Sequence, residues 1–268
     1  MGVVPVIAVS VFKESVRDKV LYNLVLFAVL LMGISYLLGQ LTAGQDIKII
    51  KDLGLAAMSV FGLFIAIFMG IGLVFKEVER RSIYSLLAKP IRRHEFIIGK
   101  YCGLVLTLLV NISVMTIAYY AVLGYMAWSE GGWMLPGWEA PAVDPALMKA
   151  VAMIFLELMI VTAVALLFST FSSPMLAAAF TFGLYIAGHF NADLKNFGAV
   201  VDSKPLAAFA RGLYYVLPNL APLDVKTQVV HALPVSAGYL LWNTAYAVTY
   251  TAALILIAAF IFVRRDFK

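Results

Sequence analysis

KEVERRSIYSLLAKPIRRHEFIIGK, residues 76–100, is a charged island between two long apolar runs, 53–75 and 101–128. Each run is long enough to cross a bilayer as a helix, which takes about 20 apolar residues. The island carries seven Lys and Arg residues and is too long for a plain turn between spans. Its pattern predicts two short helices broken at Pro90, since proline lacks the amide hydrogen and clashes with the preceding turn. The basic residues would hold both at a cytoplasmic membrane surface. A membrane protein with such a device there uses it to touch something in the cytoplasm.

Composition agrees with a membrane setting. Hydrophobic residues make up 63% of the 268 and charged residues only 13%, against roughly 25% charged in a soluble domain. Mean hydropathy is +0.95. The apolar residues are gathered in blocks of about 20, so residues 1–268 read as one integral membrane domain. The net charge of +5 does not indicate nucleic acid, because the basic residues flank apolar runs instead of forming a face. The single cysteine, Cys102, excludes an intrachain disulfide and a cysteine-based metal cluster. No signal peptide is expected, because a charged segment precedes the first apolar run and no small-residue cleavage site follows it.

Hydropathy and flanking charge predict six spans: 20–41, 53–75, 101–128, 147–171, 175–190 and 238–263. The fourth and fifth are joined by Ser172, Ser173 and Pro174, a tight turn that makes them an antiparallel hairpin. The fifth is short, and is expected to stop below the far surface or to continue into 191–196. With both termini inside, the cytoplasmic segments hold Lys13, Arg17, Lys19, the seven of the island, Arg264, Arg265 and Lys268. The outer segments hold Lys48, Lys51, Lys149, Lys195, Lys204, Arg211 and Lys226. The denser set belongs inside by the positive-inside rule. Before the first span, Val9, Phe12, Val16 and Val20 recur at helical spacing, so residues 1–19 are expected to include an amphipathic helix lying along the inner interface. The outer loop 129–146, with Trp133, Trp138 and prolines at 136, 141 and 145, suits the headgroup zone. The outer segment 191–237 is expected to form short helices resting on the outer surface.

Within the island, Glu77, Glu79, Arg80 and Arg81 form a polar helix extension, and Ile83, Leu86 and Leu87 follow on one face. A short helix with an exposed Leu face and a charged rim is either a docking element for a groove on a partner or an interfacial hairpin that anchors two spans. The island resembles the coupling region of ABC-2 type permeases, the membrane subunits of ATP-driven exporters. There a Glu-rich stretch leads into Leu-Leu-small-x-Pro, then Arg-x-Glu, apolar residues and Gly-Lys. The matching positions are Glu77 and Glu79, Leu86 to Pro90, Arg93 to Glu95, and Gly99 and Lys100. The resemblance takes in nearly the whole chain, down to the closing Arg264-Arg265-Asp266-Phe267. It is nearest the branch that includes the permeases of nitrous-oxide reductase maturation and of gliding motility. The chain departs from the family with Arg81-Ser82 in place of Gly-Thr, and with Arg92 where Ser or Thr caps the next helix. That helix therefore needs another cap, because Arg cannot accept amide hydrogens.

The resemblance implies an all-α fold of the ABC-2, type V exporter-like kind, with an N-terminal elbow helix and a cytoplasmic coupling helix. It also implies a separate ATPase subunit that carries ATP and Mg. This chain has no GxxxxGK[ST] loop, and Gly99-Lys100 lacks both the upstream Gly and the following hydroxyl. No cofactor or catalytic residue is therefore expected here. Two copies, or this chain and a paralogue, would pair in a bacterial or archaeal cytoplasmic (inner) membrane. Each would insert its coupling helix, with Glu79, Ile83, Leu86 and Leu87 as contacts and Arg80 and Arg81 at the rim, into a cleft on an ATPase subunit.

Inside the spans, Glu157 stands out, because an ionised side chain at that depth costs about 2.5–3.5 kcal/mol. It reads as a polar spot in the translocation path or at the subunit interface, or as a neutral acid bonding to Asn111, Asn243 or a Thr hydroxyl. Asn111, Asn243, Gly70, Gly72 and Gly183 read as close helix contacts. Two alternatives remain. An intramembrane hydrolase would use Glu157, with His189 as its nearest candidate helper; the H-E-x-x-H motif is absent and His94 and His231 lie apart. A membrane anchor would serve an ATPase-driven machine without transporting anything.

Overall fold

The computed structural model describes residues 2–39, 46–79, 92–129, 141–191 and 204–264. Among these the secondary structure is helical, with no strand. The helices are α1 (Val3–Ser15), α2 (Lys19–Gly39), α3 (Asp46–Glu79), α4 (Arg93–Ser129), α5 (Leu147–Ser169), α6 (Pro174–His189), α7 (Lys204–Val216), α8 (Lys226–Val230) and α9 (Ala237–Arg264), with a 3-10 turn at Ala221–Leu223. Five of the six expected spans are helices long and apolar enough to cross a membrane: α2, α3, α4, α5 and α9. The sixth, α6, has 16 residues. At 1.5 Å per residue it is about 24 Å long, short of a hydrocarbon layer of about 30 Å.

The bundle is built around α5. It packs against α3, α4, α6 and α9, and α8 and the 3-10 turn close on it as well. Its apolar window is 67% buried, against 22% for α2 at the edge. Apart from Lys149, Glu157, Thr162 and Ser169 its residues are all apolar, which suits a helix surrounded by other helices. The hairpin from α5 to α6 turns where expected. Pro174 opens α6 with its missing amide hydrogen at no loss, and the Ser172 hydroxyl donates to Phe168 O at 2.7 Å.

The ends of the charged island continue the neighbouring spans. α3 runs through Lys76 to Glu79 and α4 begins at Arg93, so the second short helix expected after Pro90 is instead the start of α4. Residues 80–91 lie outside the described residues. Glu95 supplies the other half of a capping box: its Oε2 accepts the Arg92 amide at 3.2 Å. Lys100, counted above among the surface basic residues, is fully buried. Its ammonium lies 4.9 Å from the centroid of the Phe96 ring, within cation–π range.

α1 packs on the first turns of α4, with a side other than the row expected to lie along the interface. Val9 and Val20 are exposed, while Val11 and Ser15 are buried. The helix is apolar on both sides, and the side that packs is set by Gly99 and Gly103, which let Ile7, Ala8 and Val11 come close. At the end of the bundle away from the termini, the fully buried Lys51 donates to Pro141 O at 3.0 Å. The Tyr119 hydroxyl donates to Lys51 O at 3.2 Å, and that of Tyr120 to Asp144 O at 3.0 Å. This knot ties α3 and α4 to the chain entering α5.

Candidate functional site

The segment between α7 and α9, expected to form short surface helices, is partly buried in the bundle. Leu220, Leu223, Val225, Val229 and Val230 are at most 1% exposed, and α8 packs on α3 and α5. Its depth follows from Lys226, whose ammonium donates to the Ser59 hydroxyl at 3.0 Å. Ser59 is the middle of the 26-residue apolar stretch Ile47–Gly72, about 18 Å along the helix from Ile47. The chain therefore dips into the bundle, at the end away from the termini, and returns. Non-helical backbone at such depth must find its hydrogen bonds within the protein.

Those bonds come from two directions. From α9, Tyr250 donates to Val216 O at 2.8 Å and Tyr239 to Pro222 O at 2.7 Å, and the Tyr246 hydroxyl accepts the Asn219 amide at 2.8 Å. From α6, Gly188 O accepts the Leu220 amide at 3.0 Å. A Cβ at Gly188 would stand 2.8 Å from Leu220 Cγ and 2.9 Å from Pro218 O, so only glycine lets the two segments meet. The dip ends in a Schellman turn: the Leu233 amide donates to Gln228 O and the Ala232 amide to Val229 O. Ala232 takes the left-handed conformation there, at φ 55°, which disfavours any residue with a Cβ by about 1–2 kcal/mol. Ala232→Gly should therefore raise the unfolding free energy by about 0.5–1 kcal/mol, read by thermal unfolding in detergent.

This dip brings a polar cluster together inside the membrane helices. Glu157, eleventh of the 23 residues of α5, is 1% exposed. Its Oε1 lies 3.3 Å from His189 Nε2, within ion-pair range, but neither carboxylate oxygen has an aligned hydrogen bond. The Tyr185 hydroxyl also approaches, and Lys226 and Asp224 lie within its field. Lys226 in turn is 3.4 Å from Asp224 Oδ1. His189 Nδ1 is 3.1 Å from the Tyr185 carbonyl, one turn back. α3, α5, α6 and the dipping segment thus all contribute to one cluster.

The other candidates are placed differently. Asn111 and Asn243 do not reach Glu157: their amides donate to the carbonyls of Thr107 (2.7 Å) and Tyr239 (2.9 Å) on their own helices. The residue that meets Glu157 is His189, which the sequence placed at the interfacial end of a helix or, in the hydrolase alternative, beside Glu157. Of the glycines expected at close contacts, Gly70 meets Ala165, whereas Gly72 and Gly183 have nothing within 4 Å. Approaches as close as that of Gly70, or closer, occur at Gly54, Gly62, Gly99, Gly103 and Gly188; of these the sequence pointed only to Gly99, as part of the Gly-Lys motif. Glu77 and Glu79 end α3; Arg80, Arg81, Ile83, Leu86 and Leu87 lie outside the described residues. Among the described residues no three of His, Cys, Asp and Glu come together as metal ligands would.

Comparison with known proteins then supplies a family. A family model described as "ABC-2 family transporter protein" matches residues 6–267. No curated protein matches the chain.

Proposed function

The chain belongs to the ABC-2 family of transporter proteins, and from that membership we propose that it is the permease subunit of an ATP-binding-cassette exporter. A separate ATPase subunit hydrolyses ATP, and this chain turns the resulting movement into a shift of its spans, a rigid-body switch between two packings. Two copies pair in a bacterial or archaeal inner membrane, with both termini and residues 80–91 in the cytoplasm. α6 serves as the sixth, incomplete span, and α1 lies as an elbow along the inner interface. The order of motifs in the island supports a place near the branch of the nitrous-oxide reductase maturation and gliding-motility permeases.

The observation that carries this reading is the family match over nearly the full length. The lengths of α3 and α4 add to it. With 34 and 37 residues they measure about 51 and 55 Å, well beyond a hydrocarbon layer of about 30 Å. Residues 80–91 therefore join two continuous rods, and a push on that connection passes straight into two spans.

The test is a mild-detergent pull-down of the tagged protein from native membranes, read by mass spectrometry beside a Leu86→Glu/Leu87→Glu variant. The expected result is an ATPase subunit with a phosphate-cradling GxxxxGK[ST] loop recovered with the parent and lost with the variant. Recovery with neither, under conditions that preserve known complexes, overturns the coupling proposal. Nucleotide-dependent movement without transport in reconstituted vesicles would favour the anchor alternative.

A further inference from the structure

We infer that Glu157 and His189 form a proton-binding site inside the bundle, and that its loading from the outer side controls how firmly α6 and the dipping segment hold to α5. The inference does not rest on how the chain meets an ATPase. It starts from the two nitrogens of one imidazole. Nδ1 faces the Tyr185 carbonyl at 3.1 Å, and a carbonyl oxygen can only accept, so Nδ1 carries a proton. Nε2 faces Glu157 Oε1 at 3.3 Å. Without a proton on one of these two atoms, an imidazole lone pair and a buried anion would lie 3.3 Å apart with no proton to offset their repulsion. The pair therefore holds one proton between them, as imidazolium with carboxylate or as imidazole with carboxylic acid. Either form has no net charge.

A second proton changes that balance. It leaves imidazolium beside a neutral acid, so the pair becomes a cation. The charged and titratable groups that face Glu157 are His189 and Tyr185 from α6, and Lys226 and Asp224 from the dipping segment. Lys226 then loses the carboxylate's field and gains a like charge nearby. Asp224, at 3.4 Å, is then the counter-charge that remains beside Lys226, whose ammonium also donates to Ser59. Histidine is the side chain suited to switch between pH 5 and 8. The route for the proton is through His189, which is 23% exposed while Glu157 is 1% exposed.

The test is hydrogen exchange by mass spectrometry on the full chain in nanodiscs, at about pH 7.5 and about pH 5.5, corrected for intrinsic exchange. Residues 218–230 and 174–191 are followed, with α4 as the internal reference. Parent, Glu157→Gln and His189→Gln are compared. In the parent, protection of 218–230 should fall on the order of 3- to 30-fold at the lower pH, the range that polar contacts between spans confer. Both variants should show no such fall. Equal protection at the two pH values in the parent overturns the proposal, and so does the same pH-dependent loss in the variants. If Glu157→Gln loses protection in α4 as well, the His189→Gln comparison decides.

Discussion

Gly103→Leu should detach α1 from the bundle and leave the spans assembled. A Cβ at Gly103 would stand 2.6 Å from Val11 Cβ and 2.7 Å from Ala8 O. The first is a stiff β-branched side chain and the second is backbone, so neither can turn aside. One turn earlier, a Cβ at Gly99 would meet Ile7 Cβ at 2.8 Å and Val4 O at 3.2 Å. The two glycines form a single small-residue stripe along which the backbones of α1 and α4 approach. Leucine in that stripe forces α1 away as a unit, at about 1–3 kcal/mol for overpacking. α4 is the main support of α1 among the described elements, so little else holds it. The readout is maleimide labelling of Ser15→Cys, a site 1% exposed, in a Cys102→Ser background that removes the exposed native thiol. Labelling should rise sharply with Gly103→Leu. It should stay at the starting level with Gly124→Leu, where nothing lies within 4 Å of the added carbon. Unchanged labelling with Gly103→Leu would place α1 elsewhere.

The spans were legible because bilayer thickness dictates them. An apolar block of about 20 residues has few other uses, and the tight turn at Ser172 to Pro174 had only one topology to offer. Their ends were less legible, because hydropathy stops at the first charges and helices do not. α3 starts at Asp46 and takes Lys48, Lys51 and Asp52 into its first turns, since Lys51 finds the Pro141 carbonyl. The dip of 218–230 was hidden for a different reason. Its apolar residues are too few to span, and whether they lie on a surface or inside a bundle depends on distant partners. Two signals for it were present. Tyr239, Tyr246 and Tyr250 share one face of α9, an unusual row of hydroxyls for a span, and Gly188 closes a helix against another segment. The partner of Glu157 was also within reach. In a hairpin turning near 171–173, residues equally distant from the turn lie side by side, which puts 157 opposite about 187, within a turn of His189.

Glu157→Lys should be far more damaging than Glu157→Gln, and the gap between them measures what the cluster is built to hold. Lysine would place an ammonium where His189 and Lys226 already bring positive character, with Asp224 committed to Lys226 at 3.4 Å. A like charge left buried without a partner is destabilising by about 3–5 kcal/mol, enough to take a large share of a marginal fold. The protein should fail to accumulate in membranes, or should unfold far below the parent temperature in detergent. Glutamine keeps the shape and removes the charge. Its amide can donate to Nε2 or accept from it, so His189 keeps a polar neighbour. Removing one partner of a buried pair is costly where it leaves the other charge uncompensated; here His189 can release its proton and Lys226 keeps Asp224 at 3.4 Å, so the change should be small. Parent-like thermal stability for Glu157→Gln, with loss of the folded protein for Glu157→Lys, is the expected pair of results. Equal tolerance of both would mean that the carboxylate does not sit in the field of His189 and Lys226. Severe loss with Gln as well would assign the carboxylate to holding the bundle together, because removing its charge alone would then be enough to break the contact between α5 and α6.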